Sequence, residues 1–234
     1  MKKRIWELDA FRGICILGMI FVHFTYDLVD LYQIVDWKYP AWFPLLQRWG
    51  GVLFLLISGI SATLGSRSVR RGLIVLLAGA AVTTVTFCMY RFFSFSKDII
   101  IYFGVLQCLG TCMILWWVFK RLPTWALALI GLILVPAGLY LNTVTPVDFP
   151  WLIPLGVMYP GFASSDYFPL LPNFGFFLLG AVLGRTIYAK KQTLLPMLSE
   201  RTPIIRGLCF CGRHSLWFYL LHQPIMTGIC MLLL

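Results

Sequence analysis

The residues able to do chemistry in this chain sit in two clusters inside apolar sequence. In "FRGICILGMIFVHF", residues 11–24, Arg12 and His23 bracket ten residues with almost no polarity. On a helix, a spacing of eleven puts them about 20° apart around the axis and about 16 Å apart along it. Asp27 follows one turn beyond His23 and Asp30 two turns beyond. One helix face therefore runs Arg, His, Asp, Asp. In "GRHSLWFYLLHQPI", residues 212–225, Arg213 and His214 come first, and Tyr219, His222 and Gln223 follow. In a continuous helix His222 stands about 13 Å from Arg213. A cation at one end with a histidine deeper suits a large anionic donor on one side and a different acceptor on the other. Arg12 would hold a phosphate. His23 would act as general base or take the transferred group itself. Asp27 at i+4 would orient the imidazole and stabilise its protonated form.

Each residue also has a plainer reading. Arg12 pairs with Asp9 at i,i+3 as a snorkelling anchor. His23 serves equally as a packing histidine bonded across a bundle, although ionisable residues within a bilayer lean functional. His222 either enters the chemistry directly or bonds a facing helix or a carbonyl freed by Pro224. Asp166 faces the outer mouth of a cavity or caps the sixth helix. Arg70 and Arg71, with Arg67, help bind phosphates or act as charge anchors, and Gln107 bonds helix to helix.

The elements that must position these groups are membrane helices. Of 234 residues, 60% are hydrophobic and 12% charged, with mean hydropathy +0.85. Soluble domains carry about twice that share of charge. Several apolar runs approach the roughly 20 residues that a bilayer crossing requires. The expected architecture is an all-α integral membrane bundle forming a single domain over 1–234. About seven helices are expected, over 11–30, 50–66, 72–90, 99–119, 124–141, 170–189 and 211–232. No cleavage-site pattern follows the first run, so the first helix is expected to remain as an anchor. Gly175, Gly180 and Gly184 read as packing residues. Alternate connections hold fourteen lysines and arginines, and the opposite connections hold four. This bias places the N-terminus in the cytoplasm. The segment 142–169 has no lysine or arginine and is expected to fold over the outer face.

Composition also excludes other classes. The net charge of +10 belongs to clusters between apolar runs, which suits topology and membrane lipid headgroups; no nucleic-acid motif accompanies it. The seven cysteines lie mostly in apolar runs and lack zinc-site spacing, so free thiols and no metal are expected. The last helix has no lysine for a retinal Schiff base. Two rival readings stand: a transporter or lipid flippase whose polar residues line a path, and a non-catalytic membrane subunit. The sequence leaves the oligomeric state open, a homo-oligomer included.

"ELDAFRGICILGMIFVHFTYDL", residues 7–28, resembles the opening helix of membrane acyltransferases of the heparan-alpha-glucosaminide N-acetyltransferase catalytic-domain family. "FPLLPNFGFFLLGAVLGR" and "CGRHSLWFYLLHQPI" resemble its later helices. The likeness is nearest to short bacterial members, and Arg12-x10-His23 also resembles the pattern of wider membrane acyltransferase-3 families. The resemblance implies transfer of an acyl group, often acetyl, from cytoplasmic acyl-CoA to a hydroxyl or amine at the other face. It implies that Arg12 serves the donor and that His23 lies at the reaction centre. The expected donor site adds Arg213, Arg70 and Arg71; the expected reaction centre adds Asp27 and His222; Asp166 stands on the acceptor side. Lysosomal members use a histidine in the first luminal loop, whereas residues 31–49 here contain none. That role does not carry over by position. A bacterial-type member implies an inner-membrane enzyme with a cell-envelope glycan or glycolipid acceptor.

Overall fold

A computed structural model describes residues 5–93, 95–144, 146–196 and 202–233. The chain is 73% helical, and no strand occurs among the described residues. The α-helices are α1 (Trp6–Tyr26), α2 (Phe43–Leu64), α3 (Ser68–Phe92), α4 (Val105–Phe119), α5 (Thr124–Leu141), α6 (Leu170–Thr186), α7 (Pro203–Arg213) and α8 (Ser215–Leu233). A wider π-type turn over Asp27–Leu31 continues α1. Five helices are long and apolar enough to cross a membrane: α1 with its extension, α2, α3, α5 and α8. At 15 and 17 residues, α4 and α6 are apolar but shorter.

Each of the seven expected stretches contains a helix, but α2 begins at Phe43 rather than residue 50 and α4 at Val105 rather than residue 99; two further shifts matter for the site. The first helix begins at Trp6 rather than residue 11, so Glu7 and Asp9 belong to its first turn. The expected helix over 211–232 is broken at His214, whose backbone (φ −106°, ψ 20°) leaves the helical region. Thr202 and Pro203 start a separate α7, since proline at the first helical position forfeits no hydrogen bond. Arg213 thus ends α7 instead of opening α8.

The chain forms two compact units. The first holds residues 1–57 and 190–234, the second 58–189. In the first unit, α1 crosses α7 with their backbones in contact. A Cβ on Gly13 would stand 2.1 Å from the Leu208 carbonyl oxygen, and one on Gly212 would stand 1.8 Å from that of Asp9. Only glycine permits this approach. Glu7, 2% exposed, ties the segment before α7 to the start of α1. Its carboxylate accepts from the Thr193 hydroxyl and the Leu194 N–H, both at 2.8 Å.

In the second unit, α3 crosses α4 at Gly72 and Gly110, and α5 crosses α6 at Gly131 and Gly175. Gly184 packs against Ile60 and Thr63, and Gly180 is buried. Gln107 bonds helix to helix as expected: its amide donates to the Gly79 carbonyl (2.9 Å) and the Thr83 hydroxyl (2.7 Å). A side chain just before α6 and one in its last turn meet the two ends of α4. Asp166 accepts from the Val105 N–H at 3.1 Å. Arg185 donates to the carbonyls of Lys120 (2.5 Å) and Leu122 (2.6 Å). Segment 142–169 packs on the approach to α4: Ser164 and Ser165 donate to the carbonyls of Ile100 and Ile99. Burial there pushes the Tyr167 phenol up to about 12, so it remains a donor to the Ile153 carbonyl.

Candidate functional site

The site is built where α1 meets α7 and α8. At the N-terminal end of α1, Asp9 lies between two cations. Its Oδ1 is 3.1 Å from Arg12 Nη1, and its Oδ2 is 3.8 Å from Arg213 Nε. The Arg12–Asp9 pair read from the i,i+3 spacing is therefore present, and Arg213 joins it across the helix crossing. Gly13 and Gly212 explain why. Each neighbours one of the arginines in sequence, and together they bring the two backbones close enough for one carboxylate to serve both. Two guanidinium groups gathered on one carboxylate are an arrangement suited to an incoming phosphate.

Deeper along α1, His23 meets His222 of α8, with ring centroids 5.1 Å apart and planes at 89°. His222 Nδ1 lies 2.5 Å from the Tyr219 carbonyl oxygen. A carbonyl only accepts, so in the neutral ring Nδ1 carries the proton and Nε2 is the basic nitrogen. This carbonyl belongs to the same helical turn. It is not that of Leu220, which Pro224 deprives of its usual i+4 donor.

One turn further, Asp27 is 1% exposed. Its two carboxylate oxygens accept from Gln223 Nε2 at 3.1 and 2.9 Å. The Asp27 carboxylate therefore links α1 to α8 instead of orienting the His23 ring; among the described residues the two share only the helical bond from the Asp27 N–H to the His23 carbonyl. At the far end of the extension, Tyr39 donates to Asp30. Burial first, and then this bond, raise the Tyr39 phenol to about 12. Arg12 with Arg213, His23 with His222, and Asp27 with Gln223 succeed one another in the same order on both segments, so α1 and α8 run parallel.

A groove of about 640 Å³ runs along α8 beside these residues. Ile20 and Phe24 of α1, Phe210 of α7, and His214, Phe218 and His222 line its first part. The remaining candidate residues lie in the second unit. Arg70 and Arg71 are exposed in the first turn of α3, and Asp166 caps α4 rather than α6. Among the described residues no group of three or more His, Cys, Asp or Glu is placed to hold a metal.

Sequence reasoning gave no role to Gln223, Glu7, Gly13 or Gly212. Only the glycines had a local signal, each standing beside an arginine in "FRG" and "CGR".

Comparison with curated proteins and with solved structures returns no match. A family model described as heparan-alpha-glucosaminide N-acetyltransferase, catalytic, matches residues 4–224. The match runs from the start of α1 through His222 and Gln223, and so takes in both segments that build the site. On this evidence the chain belongs to the heparan-alpha-glucosaminide N-acetyltransferase catalytic-domain family, a family of membrane acyltransferases.

Proposed function

We propose that the protein transfers an acyl group from cytoplasmic acyl-CoA to a hydroxyl or amine of a glycan or glycolipid on the opposite side of a bacterial inner membrane. In this reading seven helices, α1–α6 and α8, cross the membrane, with the N-terminus in the cytoplasm. The observation that carries the proposal is the order of groups in the first unit: a paired-arginine cluster at one end, then two facing histidines, then a buried carboxylate. The Arg12–Asp9–Arg213 cluster receives the donor's phosphates, with Asp9 holding both guanidinium groups ready. The pantetheine arm follows the groove, bringing the thioester to the level of His23 and His222. His222 Nε2 takes the proton of the acceptor hydroxyl or amine as that group attacks the thioester carbon. The tetrahedral intermediate collapses, the C–S bond breaks, and the proton passes from His222 to the leaving thiolate. His23 packs against the His222 ring and fixes its position, while Asp27 and Gln223 hold α8 against α1.

Acetyl-CoA binding to the purified protein and to its Arg12→Ala, Arg213→Ala, His23→Ala and His222→Ala variants tests this. Either arginine variant is expected to lose about tenfold or more in affinity. The histidine variants are expected to keep binding while transfer falls by 10²-fold or more. No saturable binding by folded wild type, for any acyl-CoA, overturns the proposal.

A further inference from the structure

Two side chains of α7, Arg206 and Phe210, have no part in the chemistry above beyond the wall of the groove. The contacts of α7 with α1 advance in the same direction on both helices. Cys209 Sγ donates to the Trp6 carbonyl at 3.4 Å, and Gly212 lies against Asp9 and Gly13. The two helices therefore run parallel, and residues before Cys209 lie on the side of the arginine cluster away from the histidines. Arg206 is one of them. It is exposed, and among the described residues no carboxylate pairs with it. At 100° and 1.5 Å per residue, Arg206, Phe210 and Arg213 fall within about 60° of one another and span about 10 Å of the helix. Phe210 stands between the two cations and is 56% exposed. Its ring lies 4.7 Å from that of His214, centroid to centroid, and it also lines the groove that reaches His222.

The order on this face is a cation, an aromatic ring, and then the paired arginines. Coenzyme A carries a 3′-phosphate, an adenine and a 5′-diphosphate on one ribose. Guanidinium groups take phosphates by charge-assisted hydrogen bonds, and an exposed aromatic ring stacks a base. We propose that α7 seats the nucleotide end of the donor: Arg206 binds the 3′-phosphate, Phe210 stacks on the adenine, and Arg213 with Arg12 takes the diphosphate. The inference rests on the acyl-CoA reading above and adds specificity for the 3′-phosphorylated nucleotide. An anionic lipid headgroup on Arg206 is the competing occupant. A headgroup calls for the cation alone, whereas the nucleotide also uses the ring and the arginine pair beyond it.

The test is displacement of radiolabelled acetyl-CoA from the full-length protein in phosphatidylcholine nanodiscs. The competitors are unlabelled acetyl-CoA, its 3′-dephospho form and acetyl-4′-phosphopantetheine. Wild type is expected to bind the dephospho form about tenfold or more weaker than acetyl-CoA, the worth of a hydrogen bond to a charged group. Arg206→Gln is expected to weaken acetyl-CoA by about that factor and to leave the dephospho form unchanged, so that the two agree within about twofold. Phe210→Leu is expected to weaken both nucleotide forms about fivefold or more and to leave acetyl-4′-phosphopantetheine unchanged. Equal affinity of wild type for acetyl-CoA and its dephospho form overturns the inference and leaves the acyl-CoA reading intact. A loss of thermal stability in Arg206→Gln confined to phosphatidylglycerol nanodiscs would then assign Arg206 to lipid. Discrimination that survives Arg206→Gln also overturns the inference, and undiminished nucleotide binding by Phe210→Leu overturns the adenine seat. Absence of saturable acetyl-CoA binding by folded wild type marks failure of the acyl-CoA reading itself.

Discussion

Asp27 and Gln223 show how a buried polar pair in this chain divides structure from chemistry. The Asp27 carboxylate is almost fully enclosed, and both of its oxygens accept from one amide nitrogen, Gln223 Nε2. A buried acceptor stripped of its donors costs about 1–3 kcal/mol. Gln223→Leu should therefore lower thermal stability by about that amount. Asp27→Asn should cost less, because the new amide oxygen still accepts from Gln223. Thermal unfolding of both variants in one detergent checks the order; equal losses would mean that the pair does not join the helices. The i+4 spacing had pointed Asp27 at His23. Spacing along one helix shows which residues share a face, but it cannot show a partner arriving from residue 223. Glu7 was illegible for the same reason, since its partners at 193 and 194 lie at the other end of the chain. The histidine pair was half legible: both residues stood out as ionisable groups in apolar sequence, and only the fold shows them facing one another.

At the scale of elements, the site depends on how closely α7 lies on α1. Gly212→Ala places a methyl 1.8 Å from a backbone oxygen that cannot rotate away. Overpacking of this kind costs about 1–3 kcal/mol or more. Gly207→Ala in the same helix meets nothing within 4 Å, and helix propensity makes it neutral or stabilising by up to about 1 kcal/mol. The pair separates packing from composition. Gly212→Ala should lower both stability and acetyl-CoA affinity without removing any charge, by drawing Arg213 away from Asp9. Gly207→Ala should change neither for the worse. Matching behaviour of the two in melting and binding measurements would show that the close crossing does not position the cluster. The helices themselves were largely readable from apolar periodicity and length. The α7–α8 break was not, because "CGRHSLWF" contains no proline or turn cluster. The glycine and arginine that dock on α1 lie just before His214, where the chain changes direction.

For the whole molecule, the proposed orientation rests on charge bias, and Arg185, among the fourteen counted cations, also has a structural task. Arg185 donates to the carbonyl of Lys120, the residue that caps the C-terminus of α4, and to that of Leu122 in the turn beyond, a favourable place for a cation at a helix end. Asp166 accepts at the opposite end of the same helix, where a carboxylate is favoured. Both cap a helix of about 22 Å, short of a hydrocarbon core of about 30 Å. These two residues thus have local reasons for their sign that owe nothing to topology. Removing Arg185 from the count leaves thirteen against four, so the orientation does not depend on it. Single cysteines introduced at Asp148, Arg67 and Lys190, in a background lacking the native cysteines, test the arrangement with a membrane-impermeant maleimide on intact cells. Position 148 should label in intact cells, and positions 67 and 190 only after permeabilisation. The reverse pattern would place Arg12 and Arg213 on the side away from cytoplasmic acyl-CoA, and the proposed direction of transfer would fail with it. Labelling of 67 and 190 on opposite sides would instead show that an odd number of the helices α3–α6 crosses the membrane, with α4 and α6, the two shortest, the first to re-examine.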